Sequence, residues 1–190
     1  TGNVIGGEDM LDMIAEKIRE KVGDMRVRDE DKEQLVSDIS IGAIKFSILK
    51  IAPGKDIAFD FDKSISFEGD SGPYLQYTHA RLSALLDKAK ESAISFEHGY
   101  VVSTPERELE KVIMGYKEVL EKTYRDLGPQ HIIQHLLLLT RVFNNLYARV
   151  QIVDENNKDE SGYYVMLATA TKNILAHGLY TLGIVSPERM

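Results

Sequence analysis

The sequence predicts a mainly α-helical fold: a helical bundle preceded by a small, mostly helical connecting region with one extended segment. Three observations predict it. Apolar residues recur at spacings of three, four and seven along successive stretches. Helix-start signals, a capping residue ahead of a proline, stand at Ser71-Gly72-Pro73 and Thr104-Pro105-Glu106. The breaks between stretches are short, Gly128-Pro129 among them, which favours antiparallel neighbours.

Gly6 and Gly7 break the opening. Glu8 to Val22 then reads as a helix, with Met10, Leu11, Ile14, Ala15 and Ile18 on one face and acids in its first turn, where the dipole favours them. Asp31 to Leu49 reads as a second, with Leu35, Ile39, Gly42, Ala43 and Phe46 on one side. A glycine inside a helix costs about 1 kcal/mol in propensity, so Gly42 predicts close packing against a neighbour. After the turn at Pro53 to Asp56, Ile57 to Asp62 alternates apolar and acidic residues, the pattern of a short half-buried strand or extended segment.

The stretch Phe67 to Leu82 organises the remainder of the chain. Asp70 to Gly72 form a turn, Ser71 or Gly72 caps, and Pro73 takes the first helical position, where its missing N–H costs nothing. The helix behind it is expected to reach Phe96, with Leu75, Leu82, Leu86, Ala89 and Ala93 on one face and Leu85 widening the stripe. A further helix from Pro105 to Arg125 turns Leu109, Val112, Ile113, Tyr116 and Leu120 inward. Pro129 to Val150 is the most apolar stretch, and so wide an apolar surface implies the central helix of the bundle. Asp154 to Glu160 reads as a solvated loop, and the last helix as Ser161 to Tyr180. The boundary falls between residues 1–69, a connecting region, and 70–190, the bundle.

The chain has 190 residues, 43% of them apolar, and a net charge of −7. It can bury a real core. The acidity lies at the front: ten basic against fifteen acidic residues in 1–69, eight against ten in 70–128, and five against five in 129–190. That balance argues against non-specific DNA binding but leaves the back half able to face a phosphate backbone. With no cysteine there is no disulfide framework, which fits a cytoplasmic protein. No apolar run is long enough for a membrane helix. The chain starts at Thr1 without an initiator Met, as processing or a longer parent would leave it.

His131 and His135 share a helix face, but the Glu of a zinc-protease motif is absent between them, and the pair is expected on a helix surface or facing a tRNA. Asp60, Asp62 and Glu68 form an acidic cluster that a half-exposed strand would produce without any catalytic role. His177 complements the dipole at the end of the last helix. Ser83, Ser92 and Ser95 lack a nucleophile elbow, and no glycine-rich phosphate loop exists. No catalytic residue and no metal ligand set is expected. Arg141, Asn145 and Arg149 form one polar stripe, and with Asn144 and Tyr147 they could combine phosphate contact with base stacking. A protein-docking scaffold accounts for the same composition.

The stretch Ser66 to Arg81, Ser-Phe-Glu-Gly-Asp-Ser-Gly-Pro-Tyr-Leu-Gln-Tyr-Thr-His-Ala-Arg, resembles the segment that enters the tRNA-binding half of arginyl-tRNA synthetases, a class I family. Three more pieces agree in order. Thr1-Gly2-Asn3-Val4 looks like the sequence after the family's mobile Lys-Met-Ser-Lys-Ser-type loop. Gly42 to Phe46 followed by Phe59 to Asp62 matches the helix and extended segment downstream. Val142 to Tyr147, then Leu182-Gly183-Ile184 and Pro187 to Met190, look like the helical anticodon-binding domain and its C-terminus.

The resemblance covers essentially the whole chain and implies the C-terminal part of such an enzyme, with 1–69 as a post-catalytic connecting and stem-contact region and 70–190 as the anticodon-binding domain. The family joins arginine to tRNA(Arg) through an arginyl adenylate, using ATP with Mg2+ at sites in an upstream Rossmann-type domain. This chain alone is then expected to hold no cofactor and to be inactive, with tRNA(Arg) and the missing N-terminal catalytic domain as partners, as a monomer. The resemblance implies contacts from Asn144, Tyr147, Arg149, Tyr180, Arg189 and Met190, and the polar stripe adds Arg141. It also makes Tyr74, Gln76, His79 and Arg81 candidates toward tRNA or the catalytic domain. Many family members carry an aromatic where this chain has Leu146, which leaves Tyr147 as the expected stacking platform. The anticodon domain of a relative with another specificity is the alternative within the class.

Overall fold

The computed structural model describes residues 6–23, 27–95 and 106–190. Eight helices order these residues, and no β-strand occurs among them. α1 (Gly7–Val22) and α2 (Asp29–Leu49) pair at the front, and Ile14, Ile18, Leu35, Val36, Ile39 and Ala43 make a small core between them. α3 (Phe61–Ser64) is a single turn, and α4 (Gly72–Glu91) then opens the bundle. α5 (Arg107–Met114) and α6 (Tyr116–Asp126) lead to α7 (Gln130–Arg149) and α8 (Lys158–Thr181). α7 packs on α2, α4, α5, α6 and α8, the central place its apolar width predicts. Leu75, Leu82, Ile132, Leu136, Leu139 and Leu175 lie at the heart of this second, larger core.

The expected strand is absent. Asp60 instead caps α3, its carboxylate accepting from the Lys63 N–H at 3.1 Å. Ile57 to Asp60 approach without regular structure. Phe59 and Phe61 meet edge to face at 5.1 Å and both pack on the front core. A capping aspartate therefore decides a pattern too short to specify pairing.

α4 starts as the sequence reads. Ser71 is the cap, its hydroxyl accepting from the Tyr74 N–H at 3.1 Å and donating to the Ser66 carbonyl. Pro73 falls on the second helical residue rather than the first. α4 stops at Glu91, short of Phe96, in a Schellman motif: Ile94 N–H bonds the Ala89 carbonyl, Ala93 N–H bonds that of Lys90, and Ala93 takes φ 50°. An alanine gave no warning of a turn that glycine usually makes.

The helix expected over Pro105 to Arg125 is two helices broken at Gly115, and its predicted cap at Thr104-Pro105 lies outside the described residues. α8 begins inside the expected loop, because Asn157 caps it: Asn157 Oδ1 accepts from the Glu160 N–H, and the Glu160 carboxylate accepts from Asn157 Nδ2 at 2.7 Å.

The two cores join where α2 crosses α4. A Cβ on Gly72 would stand 2.5 Å from the Gly42 carbonyl oxygen, and one on Gly42 would stand 2.6 Å from Gln76 Oε1. The helices meet backbone to backbone because both positions lack a side chain. Gly72→Ala meets backbone that cannot step aside, so a loss of about 1–3 kcal/mol is expected. Gly54→Ala, where a Cβ meets nothing but φ is +80°, separates backbone strain from overpacking. Urea denaturation of both variants measures the difference, and an unperturbed Gly72→Ala would show that the crossing can widen.

Candidate nucleic-acid interface

One face of the bundle carries aromatic rings interleaved with a cation. Tyr77 and Arg81 are i and i+4 on α4, so they share a face. The Arg81 guanidinium lies 5.8 Å from the Tyr77 ring centroid and 5.3 Å from that of Tyr147 on α7. Phe67 meets Tyr77 edge to face at 6.2 Å, and the buried Phe143 backs Tyr147 at 6.2 Å. A ladder results: Phe67, Tyr77, Arg81, Tyr147, Phe143. Tyr147 remains 43% exposed. α7 is fixed to α4 at this point by Asn144 Nδ2, which donates to the Tyr74 hydroxyl at 2.8 Å.

Three hollows converge on Arg81. A cavity of about 20 Å³ lies between Thr78, Leu82, Leu85, Phe143 and Tyr147. An open groove of about 480 Å³ runs past Tyr147 to Lys88 and Gln151. Another of about 290 Å³ runs past Tyr77 to Arg189 and Met190. Guanidinium, ammonium, amide and ring faces along one groove suit a splayed single strand, whose bases stack while its phosphates meet the cations.

The remaining candidates divide. Arg81, Asn144, Tyr147, Arg189 and Met190 gather around this groove, with Tyr74 behind them. Arg141, Asn145 and Arg149 do not, because at about 100° per residue Arg149 stands roughly opposite Tyr147. It is held there by Glu106 ahead of α5, at 3.1 Å, while its Nε donates to the Asn145 carbonyl. Tyr180 is 80% exposed at the far end of α8. That end lies against Leu136, where a Cβ on Gly178 would come within 2.8 Å. From Leu136 to Tyr147 is about 16 Å along α7 at 1.5 Å per residue. Gln76 and His79 lie inside the protein, 0% and 1% exposed. The sequence reasoning left out Tyr77, Lys88 and Gln151. For Tyr77 the signal was present: an aromatic four residues before Arg81 on one helix.

Of the histidine pair only His131 reaches the surface. His135 is buried and stacks on Tyr116 at 5.4 Å, and Tyr116 in turn hydrogen-bonds His177 Nδ1 at 2.8 Å. Burial pushes the Tyr116 phenol up to about 12. His131 faces Asp126 at 3.2 Å. Asp60 pairs with Lys63 and Asp62 with Lys17. Among the described residues no group of three or more His, Asp or Glu is arranged to hold a metal ion. No helix among them is long and apolar enough to cross a membrane.

Residues 75–190 match the DALR anticodon binding domain. The chain belongs to that family. The DALR match begins inside α4 and takes in the whole ladder except Phe67. An arginine–tRNA ligase of Thermococcus kodakarensis is 32% identical over 195 residues, covering 96% of this chain and 30% of the relative. One of Alkaliphilus metalliredigens is 34% identical, covering 100% and 33%. The chain thus spans about a third of the length of these curated relatives. The solved Thermus thermophilus arginyl-tRNA synthetase superposes with a TM-score of 0.85 at 29% identity, over 100% of this chain and 33% of that one. The Plasmodium falciparum arginyl-tRNA synthetase superposes at 0.78 with 17% identity, a likeness of fold.

Burial pushes His79 and His135 of this DALR chain below the ordinary histidine value. Both therefore take up a proton less readily folded than unfolded, where a histidine titrates at about 6.5. The unfolded state therefore binds more protons as pH falls, so their stabilisation is complete above about pH 6.5 and is lost as pH drops through the lower folded values. The urea midpoint is expected to fall between pH 7.5 and 5.5, and His135→Phe, which keeps the ring stack, should flatten that fall. A midpoint constant over this range would contradict the assignment.

Proposed function

We propose that this chain is the anticodon-reading part of an arginine–tRNA ligase and grips the unstacked anticodon loop of tRNA(Arg). The observation that carries the proposal is Arg81 held between the rings of Tyr77 and Tyr147 on an open face of a DALR domain. The exposed part of the Tyr147 ring would stack on one base, Arg81 and Lys88 would meet phosphates, and Gln151 and Arg189 would donate to base edges. Arg141, Arg149 and Tyr180, on other faces, would meet flanking backbone. The specificity for arginine's tRNA comes from the relatives' names and from the sequence resemblance together.

In this proposal the ligase makes an arginyl adenylate and transfers arginine to tRNA(Arg). ATP with Mg2+ would be held by the remainder of the ligase, which is the chain's other partner; the lack of a glycine-rich phosphate loop in this sequence supports that reading. The acidic front, where Ile48 and Ile57 are exposed, is the surface offered to that remainder. The complete ligase would work as a cytoplasmic monomer, with no use for DNA.

In the full-length ligase, Tyr147→Ala should weaken tRNA(Arg) binding by about 1–3 kcal/mol, roughly five- to 150-fold, without unfolding the bundle. Arg149→Ala should cost less and lower the salt dependence by about one unit. Filter binding against a non-cognate tRNA completes the test. Unchanged affinity in both variants would remove these residues from the site, preference for the other tRNA would indicate a relative, and binding of neither would favour a docking scaffold. The 190 residues alone should show no arginine-dependent ATP turnover.

A further inference from the structure

We propose that Gln76 and His79 are positioning residues, which clamp the segment 183–190 so that Arg189 and Met190 stand beside Tyr77 and Arg81. The proposal rests on the RNA-binding reading for its consequence, though not for its geometry. Neither side chain can touch a ligand from where it lies, and both are spent on main-chain carbonyls of one segment. Gln76 Nε2 donates to the Val185 carbonyl at 2.8 Å and to the Asp38 carbonyl of α2 at 3.2 Å. His79 Nδ1 meets the Pro187 carbonyl at 2.8 Å, so that nitrogen carries the proton.

The segment leaves α8 through a second Schellman motif, with Gly183 at φ 68° and the Ile184 N–H on the Leu179 carbonyl. Lys45 of α2 donates to the Gly183 carbonyl. Ile184 is buried in the bundle core and Met190 packs on the front core, so the segment crosses from one core to the other. Glu188 is tied to Lys172 of α8 at 2.7 Å and stands 4.0 Å from His79 Nε2.

Buried donors to carbonyls of an otherwise irregular segment are what fixes its path, since an extended segment satisfies few of its own polar groups. His79 and Arg81 lie two residues apart on α4, and Pro187 and Arg189 two apart on the segment. The clamp therefore sets the distance between two cations that line one hollow, together with Tyr77 and Met190. It also ties that hollow to α2 through the same glutamine.

The test uses the full-length ligase. His79→Leu removes the donor. His79→Asn keeps one, because Asn Nδ2 falls near the place of His Nδ1. Gln76→Met removes the other donor at similar volume. His79→Leu is expected to raise the KM for tRNA about ten-fold with kcat at saturating tRNA little changed, and His79→Asn to restore most of it. Combined with Arg189→Ala, which sits on the surface and leaves folding intact, His79→Leu should add clearly less than its loss alone, since both act through one segment. Hydrogen exchange of residues 184–190 in the free protein should accelerate in His79→Leu and Gln76→Met, but not in His79→Asn.

Additive losses, no rescue by asparagine, or unchanged exchange would overturn the clamp. If His79→Leu fails to fold, an Arg189→Ala variant with unaltered KM would overturn its role in binding. Wild-type protein that binds no tRNA, yet shows the exchange pattern, would overturn the RNA reading while leaving the clamp in place.

Discussion

The contact on which the molecule depends is the crossing of α2 over α4. Two glycines, Gly42 and Gly72, remove the side chains that would hold the helices apart. Helices with ordinary side chains pack at about 8–10 Å, and the crossing relies on a closer approach. It sends Phe46 of α2 into the bundle core, away from the smaller core that Leu35, Val36, Ile39 and Ala43 build with α1. It also seats Gln76 where one amide reaches two other pieces of chain. Ser71 caps α4 at the same place, so start, crossing and segment path are settled within six residues.

From there the ladder follows. α4 presents Tyr77 and Arg81 on one face, and α7, held among its neighbours, presents Tyr147 to meet them. The Asn144–Tyr74 hydrogen bond sets the register between the two helices. On the opposite side, Glu106 holds Arg149. Glu106 also gives its N–H to the Tyr163 hydroxyl, which donates in turn to Glu110, so α5 is fastened to α8 by the same residues that divert Arg149. Position on α7 thus separates an aromatic, open face from an ion-paired one, although both carry cations.

The helices were legible because their apolar spacing is long and regular: α1, α2, α7 and the start of α4 lie close to where the pattern puts them. What was not legible turned on single residues. Asp60 converts an alternating stretch into a capped turn, Ala93 ends α4 in a conformation alanine seldom takes, Gly115 divides one pattern into two helices, and Asn157 recruits part of a charged loop into α8. Gly42 was legible as a contact, but its partner was not, because the two glycines are 30 positions apart in sequence. The same limit applied to the site. Arg81 and Tyr147 were each visible as candidates, whereas Gln76 and His79 looked equally polar and proved interior. Spacing along a helix tells which residues share a face, and only tertiary packing tells which face meets water.

Arginine on a free surface samples many rotamers, a freedom worth roughly 2 kcal/mol. Arg81 has two rings to lie against and has given up much of that freedom on folding. A planar ligand arriving there finds the cation already ordered and orders little itself. The entropic penalty falls in the folding reaction, where a large core absorbs it, and not in a binding event at this face. The ladder is therefore a rigid die rather than a flexible hand.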